Sequence, residues 1–196
     1  MENNNEIHEF KEEYLHNNRV RRINNDRACM LSAITWAQRS KDPSSQVGAC
    51  YVNAEGREIS IGYNGAPNDW PDEEFPWGRE VNKIGMNNTK YPYVIHAEMN
   101  GILNYGGLGT DFKGSTLFVT LFPCSNCAKF LAQRGISKIV YLSDKYKGTE
   151  DNIAAKTLLK KSNIEYVQYT ELSEQEVIDF IDLINPLDNG KSRTRR

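Results

Sequence analysis

The chain has 196 residues, of which 39% are apolar and 26% charged, with a formal net charge of −2 at pH 7. That balance supports one packed domain and excludes a disordered chain. It also excludes a surface built to neutralise a long phosphate backbone, so the partner expected is a small anionic molecule and not nucleic acid.

Residues 1–22 are polar, rich in Asn, Glu and Arg, and read as an extension ahead of a single domain over 23–185. They carry neither the basic n-region nor the apolar h-region of a secretory signal, and no run approaches the roughly 20 apolar residues of a membrane span. A cytoplasmic location, with reduced thiols and no membrane partner, is expected. A helix begins at Asn25 or Asp26, with Met30, Ile34 and Ala37 at helical spacing, and ends near Ser40 because Asp42-Pro43 disfavours continuation. Strands over 47–52 and 59–63, joined by a turn at 53–56, read as a hairpin. Residues 64–93 hold Pro67, Pro71, Pro76 and Pro92 with Trp70 and Trp77. An irregular connection of that length reads as a lid or binding loop, or as a loop packed by its own aromatics.

The second half alternates: a helix over 97–105 stopped by Gly106-Gly107, a strand over 116–121 and a helix over 124–134 stopped by Gly135. A strand over 139–142, a helix over 150–161 and a strand over 164–169 follow. Ser173 and Glu176 form a capping box that opens a last helix, closed by Pro186. An antiparallel hairpin followed by strand–helix alternation implies an α/β fold, with a mixed central sheet and helices on both faces. The basic tail over 186–196 reads as a solubilising end or a short nucleic-acid contact.

The chemistry sits in His96-Ala97-Glu98 and Pro123-Cys124-Ser125-Asn126-Cys127, each at the start of a helix. Cys124 and Cys127 share one face of a first helical turn, and helix N-termini favour the thiolate that binds metal. His96 supplies a third ligand, and three protein ligands leave the open position of a catalytic zinc site. Zinc lowers the pKa of coordinated water to about 7. Glu98, two residues beyond His96, is placed to carry protons without being a ligand. The H-x-E…P-C-x-x-C arrangement is an established signature of zinc-dependent base deaminases. Cys-x-x-Cys alone could also be a redox motif or half of a closed structural site. The spare ligands for such a site would be Cys29 and Cys50, placed among apolar neighbours, or His8 and His16 in the polar extension.

The resemblance runs further than the metal motif. Residues 37–43, Gln46-Val47-Gly48-Ala49, Gly62-Tyr63-Asn64-Gly65, residues 91–98, Leu121-Phe122-Pro123-Cys124 and residues 142–146 resemble, in order, the deoxycytidylate deaminases of the cytidine deaminase superfamily. The resemblance implies a cytidine-deaminase-like three-layer α/β/α fold and conversion of dCMP to dUMP. It implies zinc on His96, Cys124 and Cys127, one ion per chain, and proton transfer by Glu98. It also implies a homo-oligomer, often a hexamer, activated by dCTP, with Mg2+ accompanying the triphosphate, and inhibited by dTTP.

Asn64 matches the position whose amide contacts the sugar; its other reading is a turn residue closing the strand. For the 5′-phosphate, Arg39 at the end of the first helix and Tyr146 after a strand's C-terminal end are the candidates. Arg39 could equally be a cation favourable at a helix C-terminus. Gly62, Tyr63 and Gly65 are the expected effector segment. Residues 51–95 contain no Cys or His, which speaks for a single zinc. Gly101 stands where the family more often has alanine; either another backbone packs closely there or the residue is tolerated.

Overall fold

The computed structural model describes residues 22–186. His8, His16 and all but the edge residues of the expected extension and tail lie outside the described residues.

Strand β1 (Gly48–Val52) is buried along its whole length. Its side chains alternate between two apolar layers, Ala49 and Tyr51 into one and Cys50 and Val52 into the other, as the period of two requires. Strand β2 (Glu58–Tyr63) pairs with it antiparallel, giving the expected hairpin with an irregularity between Tyr51 and Val52. Strand β3 (Thr116–Leu121) flanks β1 antiparallel on the other side. Strands β4 (Lys138–Ser143) and β5 (Glu165–Gln168) then add in parallel, so the order is β2-β1-β3-β4-β5.

Helix α1 (Asn25–Ala37) starts behind Asn24, whose side chain accepts the Arg27 N–H. It packs Met30, Ala33 and Ile34 onto the Cys50, Val52, Phe118 and Val140 face. The last helix, numbered α6 here (Glu174–Ile184), opens on the expected Ser173/Glu176 capping box and lays Val177, Phe180 and Ile181 on that layer. Between them in sequence come α2 (Val81–Ile84), α3 (Ala97–Leu103), α4 (Ser125–Arg134) and α5 (Glu150–Lys161). Ala97, Ile102, Ala128, Leu131, Ala155 and Leu159 from α3, α4 and α5 fill the opposite face with Tyr51, Leu117, Val119 and Ile139. The result is three layers, α/β/α, around a mixed sheet. Helix α4 ends where Gly135 takes a left-handed φ of 73°, the stop that glycine provides most cheaply.

Three details depart from the sequence reading. Helix α1 ends at Ala37, because Gln38, Arg39 and Ser40 donate to carbonyls three residues back and tighten the chain ahead of Asp42-Pro43. Helix α3 ends at Leu103 instead of residue 105. The 64–93 segment contains α2 and a 3₁₀ turn at Met86–Asn88, both too short to leave a periodic pattern. That segment packs around buried Phe75, with Trp70 and Trp77 ring centroids 5.2 and 4.4 Å away. No described helix is long and apolar enough to cross a membrane.

Candidate active site

His96 and Cys124 are the N-cap residues of α3 and α4, and the two helices bring them face to face. The Sγ atoms of Cys124 and Cys127 each lie 3.4 Å from His96 Nδ1, and all three donor atoms lie within 4.8 Å of one another. Zinc bonds of about 2.3 Å to sulfur and about 2.0 Å to nitrogen, opened at the tetrahedral angle, put S and N about 3.5 Å apart. The donor set therefore fits zinc in both chemistry and spacing. Cys29 and Cys50 lie elsewhere, Cys50 buried in the α1 layer with its thiol donating to Glu58 Oε2 at 3.2 Å. Among the described residues no other His, Cys, Asp or Glu joins the group.

The three side chains divide their protons unequally. The hydrogen bond to Cys127, aided by His96, draws the Cys124 thiol down to about 4. The same bond, with burial, pushes Cys127 well up. The bond to Cys124 raises His96 to about 9. The Cys127 N–H also points at Cys124 Sγ at 3.5 Å, as expected for a thiolate capping a helix N-terminus.

Local contacts hold both helix starts in place. Ahead of Cys124, Phe122 packs edge-on to Tyr141 and Tyr166, with its N–H bonded to the Ser143 carbonyl at 2.8 Å. Asp151 at the start of α5 accepts from Ser125 Oγ at 2.5 Å and from the Ser125 N–H at 3.2 Å. Helix α3 is tied to the hairpin by Tyr51 Oη donating to the Glu98 carbonyl at 2.7 Å. Ser60 Oγ donates to the Gly101 carbonyl at 2.6 Å, and Asn100 Nδ2 to the Tyr63 carbonyl at 2.7 Å. The Glu98 side chain is thereby fixed beside the metal donors, 4% exposed, and burial raises its carboxyl above the usual range.

These groups form one side of a cavity of about 490 Å³, a size suited to a small ligand. His96, Glu98 and Cys124 line it together with Asn64, Tyr146, Asp42, Lys90, Arg79 and Tyr91. Asp42 and Lys90 make a buried ion pair, their side chains 2% and 9% exposed. Arg79 and Tyr91 are exposed residues of the long loop, with Arg79 Nε 3.4 Å from the Tyr91 hydroxyl.

Of the residues singled out from sequence, His96, Glu98, Cys124 and Cys127 come together and Tyr146 lines the same cavity. Arg39 does not: it is exposed in the turn after α1 and lies outside the cavity lining, because the chain reverses there toward Asp42. The non-histidine cations lining the cavity are Arg79 and Lys90. Asn64 lines the cavity, but its amide serves the protein: Oδ1 accepts the Val47 N–H at 2.8 Å, and Nδ2 donates to Ser45 O and Asp42 Oδ2 at 2.9 and 3.1 Å. That geometry matches the strand-closing reading. Gly62 is buried against α3, Tyr63 stacks on Trp36 with centroids 6.3 Å apart, and Gly65 pairs with Ile95; none of the three lines the cavity.

The sequence reading missed Asp42, Arg79, Lys90 and Tyr91. Asp42 stands before a proline and inside the family-like run 37–43, and neither fact assigns it a role. Tyr91 opens the family-like run 91–98 and Lys90 immediately precedes it, and that nearness was the one pointer to Lys90.

Comparison with known proteins agrees with this geometry. Residues 23–143 match the family described as the cytidine and deoxycytidylate deaminase zinc-binding region. The chain is 48% identical to the deoxycytidylate deaminase of Mus musculus, over 80% of this chain and 85% of that protein. It is 46% identical to that of Homo sapiens over the same shares. Among solved structures, the dCMP deaminase of cyanophage S-TIM5 in complex with dCMP and dUMP superposes with a TM-score of 0.57. It is 25% identical and covers 73% of this chain and 95% of that one.

Proposed function

The chain belongs to the cytidine and deoxycytidylate deaminase family, and on that premise we propose that it is a zinc-dependent enzyme that hydrolyses dCMP to dUMP and ammonia. The observation that carries this reading is a buried carboxylate, Glu98, fixed beside an open His/Cys/Cys donor set in a cavity lined by further cations. The mouse and human relatives and the nucleotide-bound phage structure support the choice of substrate.

A zinc ion held by His96, Cys124 and Cys127 would supply the nucleophile by lowering the pKa of a coordinated water to about 7. The protein's part is proton transfer and placement. Glu98 takes the proton that the attacking water gives up, passes it to the ring nitrogen and assists departure of the amine as ammonia. Such a group must be base and acid in turn, and burial of Glu98 shifts its carboxyl toward the pH at which it works. At the exposed side, Arg79 with Tyr91 and Tyr146 replaces Arg39 as the proposed 5′-phosphate anchor, since a guanidinium fork suits a phosphate.

The test is ammonia release from dCMP, cytidine, dCTP and a tRNA anticodon stem, with and without added zinc. Turnover of dCMP above the others, dependent on zinc, is the expected result; turnover of the polynucleotide alone contradicts it. Homo-oligomer assembly and control by dCTP and dTTP rest on the family resemblance. A sigmoidal dCMP curve made hyperbolic by dCTP with Mg2+ tests that control, and a curve indifferent to both triphosphates removes it.

A further inference from the structure

Three cavity-lining residues, Asn64, Asp42 and Lys90, meet from three segments of the chain, and their hydrogen bonds can be accounted for one by one. Asn64 uses both amide hydrogens on Ser45 O and Asp42 Oδ2, so it has no donor left for a ligand. Asp42 is full as well. Its Oδ1 accepts the N–H groups of Ser44 and Ser45 at 2.8 and 3.2 Å, and its Oδ2 accepts from Asn64 and from the Lys90 ammonium. Lys90 differs. An ammonium has three hydrogens, and Asp42 is its one acceptor among the described residues. Two donors remain, on a side chain that lines the cavity.

Depth and charge indicate which part of a nucleotide those donors meet. The base must reach Glu98 and the metal donors, while a phosphate keeps its hydration most easily at exposed Arg79. The sugar, covalently between base and phosphate, lies between those positions. Lys90 is buried, unlike Arg79, and its charge is already balanced by Asp42. A net-neutral pair with spare donors suits a hydroxyl better than a dianion.

We infer that Lys90, held in place by Asp42, donates a hydrogen bond to the sugar 3′-hydroxyl of the bound deoxynucleotide. Asn64 stands behind it as a positioning residue for Asp42. The inference rests on the dCMP reading above.

The experiment compares kcat/KM for dCMP, for its 2′,3′-dideoxy analogue and for deoxycytidine, which lacks the phosphate. The enzymes are wild type, Lys90→Met and the charge-balanced pair Asp42→Asn/Lys90→Met, each checked for melting temperature and zinc content. Loss of a hydrogen bond from a charged donor is worth about 10- to 100-fold. Wild type is expected to lose that factor on the dideoxy substrate. A folded variant is expected to treat the two phosphorylated substrates alike within about twofold, while keeping the wild-type penalty for a missing phosphate. The double variant carries the test if Lys90→Met alone, with an unpaired buried carboxylate, does not fold. A wild type indifferent to the 3′-hydroxyl overturns the inference even if neither variant folds. So does a folded variant in which the hydroxyl still counts tenfold, or one in which the phosphate penalty has vanished. No turnover of any of the three substrates by wild type would overturn the dCMP reading itself, and this inference with it.

Discussion

Gly62 and Gly101 face each other where strand β2 meets helix α3, and neither position has room for a side chain. A Cβ on Gly62 would overlap the Ala97 carbonyl oxygen and the Gly101 backbone nitrogen. A Cβ on Gly101 would stand 2.7 Å from Cε2 of Tyr51 and 3.4 Å from the Gly62 nitrogen. This contact sets the height of α3 over the hairpin and so the position of Glu98.

Tyr51 accounts for the glycine at 101 in this chain. Its ring is fully buried, edge-on to Phe112, and its hydroxyl is committed to the Glu98 carbonyl, so it cannot move aside cheaply. Overpacking of about 1–3 kcal/mol should outweigh the roughly 1 kcal/mol that alanine gains in a helix interior. Gly101→Ala is expected to lower the urea midpoint. Tyr51→Ile/Gly101→Ala should lose less than the sum of the two single changes, because the smaller side chain vacates the methyl's place. Gly62→Ala should be the most damaging, since its obstacle is backbone. Strict additivity of the first pair would contradict the packing account.

The proposed phosphate anchor separates two arginines. Arg79→Ala should raise KM for dCMP about 10- to 100-fold, the range for a charge-assisted hydrogen bond, with a smaller effect on kcat. Arg39→Ala, outside the cavity lining, should leave both constants within about twofold of wild type. Steady-state kinetics on the two variants checks this, and a KM effect confined to Arg39→Ala would reverse the assignment.

What was legible in the sequence follows from where the information sits. His96 and Glu98, and Cys124 and Cys127, lie in two short runs at helix starts, so spacing groups each pair and the fold brings the two pairs together. Strands β1, β3 and β4 were legible as short continuous apolar runs, because residues on both of their faces are buried. The other cavity-lining residues were not. Lys90 reads as an ordinary surface lysine until Asp42, 48 positions away, joins it in a buried pair. Arg79 lies in an irregular loop with no period to read. Asn64 was assigned to the sugar by family position, and only the fold shows its amide already occupied. Gly62 was read as part of the effector segment, and what the fold adds is its close backbone contact with Gly101.

Metal uptake should release protons in a fixed number. In the metal-free protein Cys124, drawn down to about 4, has already lost its proton above that pH. His96, raised to about 9, keeps its proton below that pH, and Cys127 keeps its own because it is pushed up. Zinc must therefore displace two ligand protons, from His96 and Cys127, between pH 5 and 6, before the coordinated water ionises near pH 7 and adds to the count. Affinity then rises with pH by about two decades per unit. With ordinary values of 6.5 for His96 and 9.0 for both thiols, the count would climb toward three below pH 6.5. Calorimetric titration in buffers of different ionisation enthalpy counts them. Cys124→Ala and Cys127→Ala should each lose both metal and activity, and tightly bound zinc in either would show the ligand set to be misread.

The central claim is that Glu98 carries protons beside a three-ligand zinc without holding the metal, and Glu98→Gln tests it most directly. The variant keeps the shape of the side chain and removes its base. It should bind one zinc per chain and melt near the wild-type temperature while kcat for dCMP falls by at least about 10²- to 10⁴-fold. A folded, zinc-loaded Glu98→Gln enzyme that deaminates dCMP within a few-fold of the wild-type rate would contradict the account.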